Sequence, residues 1–260
     1  MTQTVPGVPL TPEIALPLVG FGTWQLRGET AYTATRAALD VGYRHIDTAT
    51  MYGNEGEVGR ALRDSGVARQ DVFITTKLPP DRVNRARATL EQSLRLLGVD
   101  AVDLWLIHWP PDGSAAAGAW AEMLGLRDEG LALTVGVSNY DIDQIDELVD
   151  ATGETPVANQ IHWNPARYDA ALVNAHRERG VVLEGYSPLK DTRLDNPVFT
   201  TIAATHGVTP AQVVLRWHVD HGIPVLPRSS RPERVASNFD VFGFKLTPEE
   251  IAAVDALGNG

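Results

Sequence analysis

The chain has 260 residues, with 22 Lys and Arg against 33 Asp and Glu for a net charge of −11, and it has no cysteine. The acidic balance argues against sequence-independent nucleic-acid binding, which rests on Lys and Arg. The missing cysteines exclude disulfides, thiolate metal sites and a cysteine nucleophile. No apolar run approaches the roughly 20 residues that span a bilayer, and residues 1–20 lack the basic start and apolar stretch of a secretory signal. A cytoplasmic protein without membrane or nucleic-acid partners is therefore expected.

Short apolar runs alternate with longer amphipathic stretches along the chain. The Pro- and Gly-containing start, Pro6–Pro12, reads as a short hairpin. The first run is Leu18–Trp24, followed by a helix near Glu29–Val41. Arg44–Thr48 precedes a helix near Glu55–Ser65, and Val72–Lys77 precedes one near Asn84–Leu97. The strongly apolar Val102–Trp109 leads to a helix near Ala119–Glu129. Thr134–Val137 is followed by Asp141–Ala151, and Val157–Ile161 by Asp169–Arg179. After Val181–Tyr186 come two helical segments, Val198–His206 and Pro210–His221. The eighth run, Ile223–Leu226, is followed by helices near Pro232–Asp240 and Pro248–Leu257.

Eight short strands alternating with eight or more helices, in about 250 residues, are the pattern of a (β/α)8 TIM barrel. One domain over residues 1–260 is expected, with no linker or low-complexity segment to divide it. The competing fold is a doubly wound dinucleotide-binding sheet, whose first turn carries G-x-G-x-x-G. Here Gly20 and Gly22 are present, but Gln25 stands at the third glycine position.

In such a barrel the active site lies at the C-terminal ends of the strands. Those ends read Asp47, Lys77, His108-Trp109, Ser138-Asn139, Asn159-Gln160 and Tyr186-Ser187, with Tyr52 in the loop after the second strand. Taken singly, each has an ordinary explanation: Tyr52 as a surface turn residue, Lys77 as a strand end in solvent, Asp47 as a turn former, His108 as a packed core residue. Together they place polar groups at one end of adjacent apolar strands, and a shared concave site accounts for all of them. A phenol has an ordinary pKa of about 10, and a neighbouring ammonium stabilises the phenolate and lowers it. A carboxylate keeps that ammonium charged, and a histidine orients a carbonyl or joins the proton relay. Asp47, Tyr52, Lys77 and His108 thus form a proton donor for a carbonyl oxygen that needs no metal and no nucleophile. After the eighth strand, Arg228, Ser229 and Arg234 surround a helix that starts at Pro232. A helix N-terminus with flanking arginines suits a phosphate.

Arg44-His45-Ile46-Asp47-Thr48-Ala49, Tyr52-Gly53-Asn54-Glu55, Ile74-Thr75-Thr76-Lys77, Leu106-Ile107-His108-Trp109-Pro110, Gly136-Val137-Ser138-Asn139 and Asn159-Gln160, in this order, resemble the aldo-keto reductase family. The resemblance runs from Gly20 to Asp255 and is strongest toward small bacterial 2,5-diketo-D-gluconic acid reductases. It implies a barrel that binds NADPH or NADP+ without a separate nucleotide domain and reduces small carbonyl compounds to alcohols. It also implies Tyr52 as general acid, Lys77 and Asp47 as its tuning pair, and His108 as the substrate-orienting residue. Ser138, Asn139 and Gln160 would hold the nicotinamide carboxamide, and Tyr186 would stack on the ring. Ser187 and Leu189 would line the pyrophosphate, and Gly22, Thr23 and Trp24 would lie beside the cofactor. Trp24 and Trp109 would wall the substrate pocket. Arg228, Ser229 and Arg234 would bind the adenosine 2′-phosphate, with Asn238 near the adenine.

Three departures from the family pattern bear on specificity. Arg228 stands where a lysine is usual, and His162-Trp163-Asn164-Pro165 replaces Glu-x-His-Pro. The chain also stops at Gly260 without the long C-terminal loop of larger relatives, which with the short Pro110–Gly118 loop makes an open pocket expected. A monomer is expected separately. Other readings are weaker. His218 and His221 lack a third metal ligand, so no metal is expected. A glycosidase could nominate Asp47 and Glu184 but leaves Lys77 without a role. A nicotinamide-dependent sensor with little turnover stays open as a different class of function.

Overall fold

The computed structural model describes residues 5–259, and the chain forms a single (β/α)8 barrel preceded by a hairpin. The hairpin pairs β1 (Gly7–Pro9) with β2 (Ala15–Pro17). It reaches further than Pro12, which sits in a turn closed by Leu10 N–H donating to Ile14 O at 2.8 Å.

The barrel strands are β3 (Phe21–Gly22), β4 (His45–Asp47), β5 (Phe73–Leu78), β6 (Val102–Ile107), β7 (Ala132–Ser138), β8 (Ala158–His162), β9 (Val182–Tyr186) and β10 (Val225–Leu226). They pair in parallel in chain order. The ring closes where Val19 bridges Val225, with Gly20 N–H donating to Val225 O at 2.9 Å and Val225 N–H to Leu18 O at 2.9 Å. The first strand is shorter than the Leu18–Trp24 run because the backbone turns at Thr23. Leu26 N–H donates back to Thr23 O, and Gln25 takes a φ of 63°. Trp24 thereby leaves the sheet and stands exposed on the rim.

Helices α1 (Gly28–Val41), α2 (Glu55–Ser65), α3 (Ala86–Leu97), α4 (Ala117–Asp128), α5 (Ile142–Thr152), α6 (Ala170–Glu178), α7 (Pro197–His206), α8 (Pro210–Asp220), α9 (Pro232–Phe239) and α10 (Pro248–Asp255) surround the ring. Local chemistry starts several of them. Asp141 with Gln144, Thr209 with Gln212 and Thr247 with Glu250 form reciprocal caps at the starts of α5, α8 and α10. Each satisfies backbone N–H groups that the first turn leaves free. Among the described residues no single helix is long and apolar enough to cross a membrane.

Alternation along the strands sorts the residues. Ile46, Ile74, Trp105, Ile107, Val135 and Val137 turn outward and join the apolar layer under the helices. The intervening positions turn into the ring. Near the strand starts this interior is apolar, and Leu16 of the hairpin plugs it against Phe73, Leu104, Leu106 and Ala158. Toward the strand ends it becomes polar, with His45, Asp47, Thr75, Lys77, Ser138, Gln160 and Glu184 all buried. The apolar layers thus lie outside the strands and at the hairpin end, and the opposite mouth is left to polar chemistry.

One contact in the outer layer permits only glycine. A Cβ on Gly59 of α2 would lie 2.5 Å from the backbone oxygens of both Leu96 and Leu97, at the end of α3. Gly59→Ala should destabilise the protein by about 1–3 kcal/mol through overpacking. Gly125→Ala, on α4 with open space around it, should be neutral or gain about 0.5–1 kcal/mol from helix propensity. Urea denaturation of both variants checks this, and equal midpoints would show that α2 and α3 can separate freely.

Candidate active site

The site is built from the polar mouth. Lys77, near the end of β5, is completely buried. Its Nζ donates to Asp47 Oδ2 at 2.6 Å and to Thr48 O at 3.0 Å. Burial opposes the ammonium, but Asp47, Tyr52 and Glu184 more than offset it, and the Lys77 pKa is raised.

Tyr52 ends a 3-10 turn, Thr50–Tyr52, that is closed by Gly53 at a φ of 64°. The rest of its motif fastens this turn. Asn54 donates to Thr23 O and Leu26 O, both at 2.9 Å, and accepts from Thr48 Oγ1 at 2.8 Å. Glu55 accepts from Thr76 Oγ1 at 2.7 Å, and Thr50 Oγ1 donates to Lys77 O at 3.0 Å. The motif therefore encodes both the phenol and the clamps that hold it over β5. Lys77 Nζ lies 5.3 Å from the centre of the Tyr52 ring.

His108 follows β6, its backbone N–H bonded to Leu78 O at 2.9 Å. Its ring meets that of Tyr52 edge to face, with centroids 5.6 Å apart. Burial, reinforced by Lys77, pushes the His108 imidazole down to about 3, so it is neutral. The phenol departs from the expectation that the ammonium would lower it. Burial pushes Tyr52 up to about 12, and the opposing pull of Lys77 does not cancel this. The resting phenol holds its proton firmly, and the nearby ammonium favours the phenolate by less than burial disfavours it.

Asp47, Tyr52, His108 and Trp109 line a cavity of about 1090 Å³ at this mouth, together with Gly22, Trp24, Ser138, Gln160, Tyr186, Ser187, Leu189, Arg228, Ser229 and Arg234. Four of the expected residues do not line it, the buried Lys77 among them. Thr23 is buried and donates to Asp47 O at 3.0 Å. Asn139 donates to His108 O and Ser138 Oγ, both at 3.0 Å, and accepts from Tyr186 OH at 2.8 Å. Asn238 is buried in α9. Ser230, of the loop after the eighth strand, lines it too, and other lining residues escaped the sequence reading, among them Gln25, Arg27, Met51, His162, Lys190 and Arg231. Only His162 carried a signal, as a departure at a strand end, and its ring now stacks on Tyr186 at 5.6 Å with 13° between planes. His218, one of the two metal candidates, bonds the carbonyls of Val214 and Trp163 instead.

The two ends of the cavity differ. At the floor lie the phenol, the ammonium–carboxylate pair and the neutral imidazole. At the far rim Arg228, Arg231 and Arg234 are exposed, and among the described residues none pairs with a carboxylate. Arg228 donates only to the neutral Gln25 Oε1, at 2.9 Å. Three unopposed guanidinium groups on a chain of net charge −11 suit an anion.

The aldo/keto reductase family model matches residues 18–259. The chain belongs to the aldo/keto reductase family. The family comprises oxidoreductases that act on carbonyl compounds. An aldo-keto reductase of Mycobacterium tuberculosis is 45% identical over 259 residues, covering 98% of this chain and 92% of its own. The methylglyoxal reductase of Escherichia coli K12 is 42% identical over 249 residues, covering 94% of this chain and 90% of its own. Among solved structures, an aldo/keto reductase from Brucella melitensis superposes with a TM-score of 0.95 at 40% identity, over 99% of each chain. A Bombyx mori aldo-keto reductase in complex with NADP gives 0.92 at 33% identity, over 98% of this chain and 94% of that one.

Acid stability follows from the same buried groups. His45 is pushed down to about 3 by burial and Lys77, and His218 down to about 4 by burial. Glu184 moves oppositely, up to about 8, through burial and the neighbouring Asp47. The stability from each lowered histidine, His108 included, is complete above the ordinary value of 6.5 and is lost as pH falls toward the folded value. The contribution of Glu184 is complete below 4.5 and is lost as pH rises through about 8. Between about pH 6.5 and 4.5, these four groups together take up three histidine protons on unfolding and release one from Glu184, so their net effect is that acid destabilises the fold. The urea midpoint should fall steadily across this window, and a midpoint that stayed level or rose would contradict these assignments.

Proposed function

We propose that this protein reduces small aldehydes and activated ketones to alcohols with NADPH, with Tyr52 as the proton donor. The observation that carries the reading is one continuous cavity with a tyrosine–lysine–aspartate–histidine cluster at its floor and three unopposed arginines at its rim. The donor set fits NADP(H). Arg228, Ser229 and Arg234 would hold the 2′-phosphate, Ser187 and Leu189 would border the pyrophosphate, and Tyr186 would offer its ring to the nicotinamide. Ser138 and Gln160 would meet the carboxamide. Thr23 and Asn139 would act from behind the cavity wall, through their hydrogen bonds to Asp47, His108, Ser138 and Tyr186. Bound there, NADPH would supply a hydride to the carbonyl carbon.

The protein's own residues supply the rest. The carbonyl oxygen sits between the Tyr52 hydroxyl and the His108 imidazole, which is neutral and donates one N–H. As negative charge develops on that oxygen, Tyr52 gives up its proton to it. Lys77 stabilises the phenolate left behind, and Asp47 keeps Lys77 charged and aimed. Trp24, Met51 and Trp109 are exposed at the mouth, and the two indole rings form flat apolar walls for the carbonyl substituent. The methylglyoxal reductase among the relatives supports small, activated carbonyl compounds as the substrate class.

Tyr52→Phe should lower turnover by at least about 100-fold, the scale of general acid catalysis, while the NADPH dissociation constant stays near its wild-type value. Steady-state rates and fluorescence titration of one variant measure both, and a variant that kept more than a few per cent of activity would remove Tyr52 from its role. Arg234→Ala should raise the NADPH dissociation constant about tenfold, a change of about 1.4 kcal/mol. It should leave the NADH constant almost unchanged, because NADH lacks the 2′-phosphate. If both constants rose together, Arg234 would be a structural residue of α9.

A further inference from the structure

Below the Tyr52–Lys77–Asp47 group lies a buried cluster that this mechanism does not use. Glu184 on β9 and His45 on β4 are both completely buried inside the ring. The amide of Gln160 on β8 joins them to the site. Its Nε2 donates to Asp47 Oδ2 and to Glu184 Oε2, each at 2.8 Å. An amide nitrogen carries two hydrogens, and both are engaged by carboxyl groups. The carbonyl oxygen of Gln160 is the polar atom left to face the cavity that the residue lines. The opposite orientation would set that oxygen against two carboxyl oxygens at hydrogen-bond distance, with acceptors facing acceptors.

We propose that Glu184 is a positioning residue of this site. It holds the second amide hydrogen of Gln160, so that the Gln160 carbonyl oxygen stays turned to accept a hydrogen bond from the nicotinamide carboxamide. The proposal rests on the NADP(H) reading above. With Asp47 alone, one amide hydrogen would remain unclaimed and the amide plane would be free to swing about its single anchor. The second anchor fixes the plane. Glu184 does this without placing a second full charge beside Asp47, because burial and Asp47 keep it protonated near neutrality. The oxygen not bonded to Gln160, Oε1, lies 3.8 Å from His45 Nδ1, and neither atom has another partner among the described residues. The proton on Glu184 therefore belongs on Oε1, on the side of His45, whose other nitrogen meets Thr75 Oγ1 at 3.0 Å. A neutral acceptor is all that Gln160 requires, so an amide at position 184 should serve as well as the acid.

The test compares two ligands on the full-length protein: NADP+, and 2′-phospho-ADP-ribose, which lacks only the nicotinamide. Glu184→Leu and Gln160→Met should each raise the NADP+ dissociation constant about tenfold and leave that of 2′-phospho-ADP-ribose unchanged. The double variant should be no worse than either single one, as expected for residues acting through one contact. Glu184→Gln should bind NADP+ like the wild type. In the wild-type protein, NMR should show both side-chain amide hydrogens of Gln160, assigned by their loss in Gln160→Met, protected from solvent exchange. That measurement stands even if the leucine variant does not fold. Additive losses, equal weakening of both ligands, or a fast-exchanging Gln160 amide overturn the proposal. If Gln160→Met weakens NADP+ and Glu184→Leu does not, Glu184 is overturned while the cofactor reading survives. If Gln160→Met has no effect, the carboxamide contact itself falls and takes the role of Glu184 with it.

Discussion

An ammonium buried inside a barrel has to be matched by charge on the spot, and the mouth of this protein is organised around that requirement. Lys77 has no solvent exposure, and Asp47 stands 2.6 Å from it. Taking two charges out of water costs several kcal/mol per ion, and their attraction offsets this only when further hydrogen bonds satisfy what remains. Thr48 O accepts a second N–H of the lysine, and Gln160 donates to the aspartate. The arrangement places a positive charge permanently beside Tyr52 while solvent is kept away. Burial raises the cost of forming the phenolate, and Lys77 returns part of that cost only when the proton leaves. A phenol in water beside a free lysine would have neither property.

Burial, reinforced by Lys77, explains why the histidines nearby are neutral. His45 and His108 are both buried, and the positive charge of Lys77 further opposes a second cation there. The cationic groups that face the cavity are instead at the rim, where Arg228, Arg231 and Arg234 are exposed. In the proposed reading one cavity separates two tasks, proton chemistry at its buried floor and anion recognition at its exposed edge. The distance between them is set by the barrel, since the floor groups end β4, β5 and β6 and the arginines follow β10.

Much of this was legible in the sequence because the fold repeats a simple unit. Each strand is a short apolar run ending in a polar residue, and caps such as Thr209-Pro210-Ala211-Gln212 mark helix starts. The convergence of Asp47, Tyr52, Lys77 and His108 follows once the runs are placed side by side in a ring. Side-chain direction was harder. Strands of two to seven residues are too short for alternation to show which positions turn inward, so the sequence offers Glu184 only as a strand-end carboxylate and does not show that it shares a buried polar layer with His45 and Thr75. Thr23, Asn139 and Asn238 lie in the right segments, yet packing turns them away from the cavity. Met51 and Arg231 line it although they adjoin residues that drew more notice, Tyr52 and Pro232. The direction of the Tyr52 shift was missed for a related reason. A sequence shows that a lysine is near and does not show how little water reaches the phenol.

The central claim is that this mouth carries a hydride from a bound nicotinamide to a carbonyl carbon and a proton from Tyr52 to its oxygen. Isotope transfer addresses it most directly. The protein would be given benzaldehyde with NADPH carrying deuterium in one or the other of the two positions at nicotinamide C4, and the benzyl alcohol analysed by mass spectrometry. Because Tyr186 is expected to cover one face of the ring, one labelled cofactor should place a single deuterium on the carbinol carbon, and the other should give unlabelled alcohol. Absence of alcohol, or alcohol unlabelled from both cofactors, would contradict the account.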